Sequence, residues 1–150
     1  MLNEAWKMQN IKFRQIFNAP VEQVFNALCD HENFGRLMGA KIERIVDGKA
    51  GYPNGLHSVR RIAPLPLLSF EETVISYEPN SLMEYKISKG TPLKNHKGRM
   101  QFSETEGKTV LDYQIEFDTK YPIPMMGFML KNTLEILLGR AVKKLARSYL

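Results

Sequence analysis

Arg60 and Glu72 are the residues of this chain best suited to hold the polar end of a bound molecule, since they carry opposite charges on what read as consecutive strands. If both point into an apolar interior they must pair, because an isolated buried charge is very costly. The same residues also suit a cross-strand ion pair on the outer face. Choosing Arg60 over Arg61, or Glu72 over Glu71, is a single step of register, and alternation is poor in both segments. Histidine is the residue type able to supply an acid or a base near neutral pH, or a metal ligand, and the chain has three, His31, His57 and His96. None has metal-ligand spacing, and each fits a surface or capping role. His31 stands at the start of a short helix. His57 lies in a strand of ambiguous facing. His96 opens a later strand on the parity of Met100 and Phe102, where it would look into a pocket entrance. Glu72 and His96 are therefore the catalytic candidates if a proton is moved. Tyr85 and Tyr113 share faces with core residues, and their hydroxyls need a partner when buried: a ligand, Glu72, a backbone carbonyl or water. Cys29 reads as a small buried filler, with no base placed to activate it. Glycine-rich phosphate loops and Ser/His/Asp elbows are absent, and no metal or cofactor is expected.

The elements that must position these groups follow from periodicity. Residues 11–17 alternate, with Ile11, Phe13, Gln15 and Phe17 on one face, as in a half-buried strand. Pro20 then suits a first helical turn, and Val21, Val24, Phe25 and Leu28 recur at helical spacing up to about Asp30. A second short helix fits residues 32–38, with Phe34, Leu37 and Met38 inward and Gly39 as its stop. From residue 40 the pattern is strands at 41–46, 56–62, 70–77, 82–88, 96–103 and 109–120, separated by turn signals. The prolines in 63–67 argue for an apolar connection there rather than a central strand. Residues 124–150 carry Met126, Met129, Leu130, Leu134, Leu137, Leu138, Ala141, Leu145 and Tyr149 at spacings of three and four, one stripe of a helix roughly 37 Å long. Lys131, Glu135, Arg140, Lys143, Lys144 and Arg147 fall largely on its other side. A strand-rich region closed by one long amphipathic helix suggests a curved sheet wrapped around that helix, an arrangement that encloses a cavity.

The chain has 150 residues, a net charge of +5 and one cysteine. That length fits one domain, residues 1–150, able to bury about 70% of its unfolded surface without a staple. One cysteine excludes an internal disulfide and fits a reducing compartment, with the cytoplasm as the default. No run is apolar enough to span a membrane or to serve as a secretory signal. The basic residues are mostly interleaved with acids, and the cluster Lys143, Lys144 and Arg147 suits the C-terminal end of a helix dipole, so nucleic acid is not an expected partner.

Residues 11–17, then Ala19-Pro20-Val21-Glu22-Gln23-Val24-Phe25 and Asp30-His31-Glu32-Asn33-Phe34, resemble the opening of the SRPBCC superfamily, which includes START, Bet v1-like and polyketide cyclase/dehydrase-like proteins. Residues 55–62, Phe70-Glu71-Glu72-Thr73-Val74 and Glu84-Tyr85-Lys86-Ile87 look like its middle strands, and the last helix like its gripping helix. The likeness covers nearly the whole chain, and the order of elements carries most of it. Many members have a tryptophan followed by a proline after the second short helix; here Phe34 and Gly39 stand without either. The resemblance implies an α+β helix-grip fold, about seven antiparallel strands curved around the C-terminal helix with a deep pocket between. It also places an arginine and a glutamate on the strands of Arg60 and Glu72 in cyclase/dehydrase-like members.

The function expected from this is binding of a small hydrophobic molecule (lipid-, polyketide-, quinone- or steroid-like) between sheet and helix. Arg60, Glu72 and Tyr85 would orient it. Phe13, Met83, Met100, Phe102, Tyr113, Met126, Leu130 and Leu134 would line the space. A cyclase or dehydratase acting on such a ligand is the alternative, and a partner module whose apolar rim docks another protein is a third reading. The apolar segments at 63–68 and 121–126 suit either a cavity rim or a contact between two copies of the chain.

Overall fold

The computed structural model describes residues 8–65, 67–90, 93–120 and 125–150. The elements run β1 (Gln9–Phe17), α1 (Val21–Cys29), α2 (His31–Met38), β2 (Lys41–Val46), β3 (Val59–Leu65), β4 (Leu68–Glu78), β5 (Leu82–Lys89), β6 (Leu93–Thr105), β7 (Lys108–Thr119) and α3 (Met126–Ser148). The seven strands form one antiparallel sheet in the order β1-β7-β6-β5-β4-β3-β2. β2 to β7 therefore meander, while α1 and α2 carry the chain from β1 at one edge to β2 at the other. This is the α+β helix-grip fold, a curved sheet holding the C-terminal helix.

Local chemistry sets the joints. Glu106 and Gly107, with φ of 53° and 76°, form the two-residue turn between β6 and β7, whose positive φ values match the strands' twist. Glu104 of the same hairpin accepts the Val21 backbone N–H at 2.8 Å, supplying the N-terminal cap that Pro20 cannot give α1. In α2 the Asp30 carboxylate caps Asn33 N–H at 2.8 Å and Gly39, at φ 74°, ends the helix. Gly35 lets α2 lie against β2, because a Cβ there would stand 2.9 Å from that of Ile42.

Burial follows alternation most cleanly in β7, where Thr109, Leu111, Tyr113, Ile115, Phe117 and Thr119 all face inward. The core under α1 is aromatic, with Phe25 5.0 Å from Phe102 and 5.5 Å from Tyr77 between ring centroids. Toward its C-terminus α3 seats Leu138, Ala141, Val142 and Leu145 on the sheet.

Several expectations change, among them that His57 lies in a strand: it is in the turn ahead of β3, at φ 68°. The 63–67 segment is not only a connection: β3 extends to Leu65 and pairs it with Leu68 of β4, after a register shift beyond Ile62. β2 stops pairing at Ala63, so Pro64 lies past the end of its neighbour, where a missing donor is tolerated. Pro66 and residues 121–124 of the two apolar segments lie outside the described residues, as do residues 1–7 and 91–92. In α3, Met129 is 65% exposed rather than inward. At about 100° per residue it sits about 180° around the helix from Leu138, which marks the buried stripe.

Candidate functional site

The β3–β4 register sets Arg60 opposite Glu72 and Arg61 opposite Glu71. Because side chains alternate across a strand, the two ion pairs point to opposite faces of the sheet. The outer one is loose, 3.9 Å between Arg61 Nη2 and Glu71 Oε2. The inner one is tight: Arg60 Nε and Nη2 both donate to Glu72 Oε1, at 2.9 and 2.8 Å, with both side chains buried. The guanidinium is held between rings, its Cζ 4.5 Å from the Tyr85 centroid and 5.3 Å from that of Phe34. Burial opposes its charge, but Glu72, aided by Tyr85 and Tyr113, outweighs that and leaves Arg60 with a raised pKa.

A polar chain runs through this pair. Arg60 Nη1 lies 3.4 Å from His31 Nδ1, and His31 Nε2 lies 2.9 Å from Ser58 Oγ. Arginine only donates, so Nδ1 accepts, and the ring proton on Nε2 is donated to Ser58. In this tautomer His31 donates to Ser58 and does not take its proton. Burial, then Arg60 and Arg44, push the His31 pKa down to about 2, so the ring is neutral. At the other end His96 Nδ1 accepts the Ile87 backbone N–H at 3.0 Å, which puts its ring proton on Nε2, 3.7 Å from Glu72 Oε2. Burial lowers the His96 pKa, with Glu72 opposing and Arg60 adding to the shift. Tyr85 and Tyr113 hydrogen-bond hydroxyl to hydroxyl, and burial raises both their pKa values. Tyr85 is seated by its cross-strand partner Gly98: a Cβ at Gly98 would come within 2.6 Å of the tyrosine ring.

Of the residues singled out in the sequence, Arg60, Glu72, Tyr85, Tyr113 and His96 thus come together. Phe13 joins them edge-on to Tyr113, with centroids 6.3 Å apart. Met83 and Met100 face each other across β5 and β6, fully buried, and Phe102 packs on Phe25 under α1. Met126, Leu130 and Leu134 are half-buried along the first turns of α3. Cys29 is buried and its thiol pKa is raised by that burial.

The surface or capping role expected of the histidines fails for His31, which is fully buried, and for His96, whose side chain is 5% exposed; it stands for His57, which is exposed. Ser58 and Gly98 were not singled out, His31 was weighed but given a capping role, and Phe34 was placed inward without being tied to Arg60. Ser58 shares parity with Arg60, and His31 lies three residues before the buried Phe34, so both signals were present in the spacing. Among the described residues no group of three or more metal-ligating side chains converges, and no helix is long and apolar enough to cross a membrane.

The sequence profile of the family described as polyketide cyclase / dehydrase and lipid transport matches residues 8–149. The chain belongs to that family. It is thereby a member of the SRPBCC superfamily that its order of elements resembles. No curated protein sequence matches the chain. Among solved structures, the Zhui aromatase/cyclase of a Streptomyces species superposes with a TM-score of 0.76 at 15% identity, over 94% of this chain and 95% of that one. A START superfamily protein from Mycobacterium smegmatis gives 0.74 at 16% identity, over 93% and 97%. Norcoclaurine synthase from Thalictrum flavum, in complex with dopamine and hydroxybenzaldehyde, gives 0.69 at 13% identity, over 98% and 91%. These likenesses share the family's fold.

Proposed function

We propose that this family member binds a small hydrophobic molecule between the inner face of its sheet and α3, with the Arg60–Glu72 cluster orienting the molecule's polar end. The observation that carries this reading is a charge-balanced, buried ion pair set among aromatic rings, with the His96 N–H turned toward it. An apolar wall supplies affinity at about 25 cal/mol per Å² buried, and a few convergent polar groups supply orientation. Phe13, Tyr113, Leu130 and Leu134 furnish the wall. The small aromatic compounds bound by norcoclaurine synthase support a ring-like body for the ligand. In this reading the 150 residues act as one domain that needs no cofactor and no nucleic acid.

A cyclase or dehydratase is the second reading, favoured by Glu72 and His96 facing each other with a neutral imidazole that could exchange a proton. Native mass spectrometry of freshly purified protein, followed by solvent extraction, tests the first. A co-purifying apolar molecule is the expected result, and a broad screen of such molecules with no binder overturns it. Incubating the protein with a bound compound separates the two readings: unchanged mass and spectrum on recovery fit binding, and loss of water or a new ring fits the enzyme.

A further inference from the structure

Access to the cluster is uneven. The Arg60 side chain is 1% exposed and His31 is sealed, whereas Glu72 and His96 keep 6% and 5%. A molecule approaching the cluster therefore meets Glu72 and His96 before Arg60 or His31. Glu72 Oε1 takes both guanidinium hydrogen bonds, which leaves the lone pairs of Oε2 available on that side. His96 spends Nδ1 on the Ile87 N–H, so its proton-bearing Nε2 is the atom facing Oε2. The separation of 3.7 Å is too long for a hydrogen bond. It suits a third atom at the apex of a triangle, about 2.8 Å from each.

Building on the ligand-binding reading above, we infer that the group recognised at this end is a neutral hydroxyl, phenolic or enolic, donating to Glu72 Oε2 and accepting from His96 Nε2–H, and that anionic head groups are rejected. Complementarity selects the hydroxyl, because it donates and accepts through one atom. A ketone only accepts, and would leave its lone pairs against those of Glu72. Charge selects against an acid. Arg60 and Glu72 cancel and both buried histidines are neutral, so a carboxylate would bring an uncompensated charge into the interior. The site therefore takes neutral hydroxylated ring compounds and leaves fatty-acid-like anions, although it contains an arginine.

A naphthol, a naphthoate and a methylnaphthalene of one substitution pattern, titrated into the wild-type protein at neutral pH, test this. The naphthol is expected to bind at least about tenfold more tightly than either of the others, as a hydrogen bond to a charged group predicts. A naphthoate that binds as tightly, or a methylnaphthalene that does, overturns the inference and leaves the binding reading standing. If none of the three binds, the binding of ring compounds fails and the inference fails with it. Glu72→Gln removes the counter-charge of Arg60 and is expected to reverse the order of naphthol and naphthoate. An unchanged order in a variant that melts cooperatively overturns the inference. If that variant does not fold, the wild-type order decides.

Discussion

Arg60–Glu72 and Arg61–Glu71 are the same residue types in one register on two adjacent strands, and they occupy opposite faces of the sheet. The outer pair sits 3.9 Å apart with the arginine about half exposed, where water screens it and side-chain entropy opposes it. The inner pair is at 2.8 Å, stacked between rings, hydrogen-bonded to His31 and faced by His96. Residue type alone therefore says little about role. What differs is how much solvation each pair has given up, and how many other groups depend on its charge balance.

The comparison breaks most visibly if one carboxylate is removed from each pair. Glu72→Ala leaves the Arg60 guanidinium buried without a counter-charge and is expected to cost about 3–5 kcal/mol in urea unfolding. Glu71→Ala is expected to cost less than about 1 kcal/mol. Equal losses would mean that the inner pair is hydrated in solution, contrary to its burial.

The difference between the pairs was only partly legible in the sequence. β5, β6 and β7 alternate so regularly that Met83, Tyr85, Met100, Phe102 and Tyr113 could be assigned inward from parity alone, and the inward side is where they are. β3 and β4 give no such signal. Their inner face carries Arg60 and Glu72 beside Ile62 and Val74, with Ser58 just ahead of β3, while charged Arg61 and Glu71 occupy the outer face, so polarity cannot choose a register. Only the pairing of the two strands decides it. The first half of α3 misled for the opposite reason: Phe128, Met129 and Ile136 are apolar yet exposed, so an apolar stripe could be drawn down either side. The spacing of His31 from Phe34 allowed an inward ring, but only its partners Ser58 and Arg60 distinguish a buried histidine from a capping one.

Acid sharpens the comparison at the next level of effect. His31 is neutral in the fold with a pKa lowered to about 2, against an ordinary value of 6.5. Below pH 6.5 the unfolded chain binds a proton that the folded chain refuses, so stability falls as pH falls, by about 1.4 kcal/mol per unit, until the folded pKa is reached. By pH 5 the loss from this residue is about 2 kcal/mol. His96, also lowered, acts in the same direction. His31→Gln is expected to flatten the slope between pH 6.5 and 5 in denaturant titrations at several pH values, and Glu71→Ala to leave it alone. An unaltered slope in His31→Gln would show that the ring is reached by protons in the fold.

Replacing both inner partners separates what the pair does for stability from what it does for a ligand. Arg60→Met with Glu72→Leu removes two buried charges together, and such exchanges are commonly neutral or stabilising. The doubly substituted protein is expected to unfold within about 1 kcal/mol of wild type while losing its discrimination between hydroxylated and unsubstituted ring compounds. Retained discrimination would move the orienting role from the pair to Tyr85 and Tyr113.

The smallest effect belongs to the outer pair itself. Truncating both partners, Arg61→Ala with Glu71→Ala, is expected to shift stability by less than about 0.5 kcal/mol, and raising the salt concentration should diminish even that, since exposed charges are screened over about 10 Å at 0.1 M. The inner pair is buried, with Phe34 of α2 and Tyr85 on the guanidinium, so the cost of Glu72→Ala should change little across the same salt series. A salt-sensitive inner pair would mean that the fold opens enough around the cluster in solution to admit ions, and the route by which ions enter would then be the route by which a ligand does.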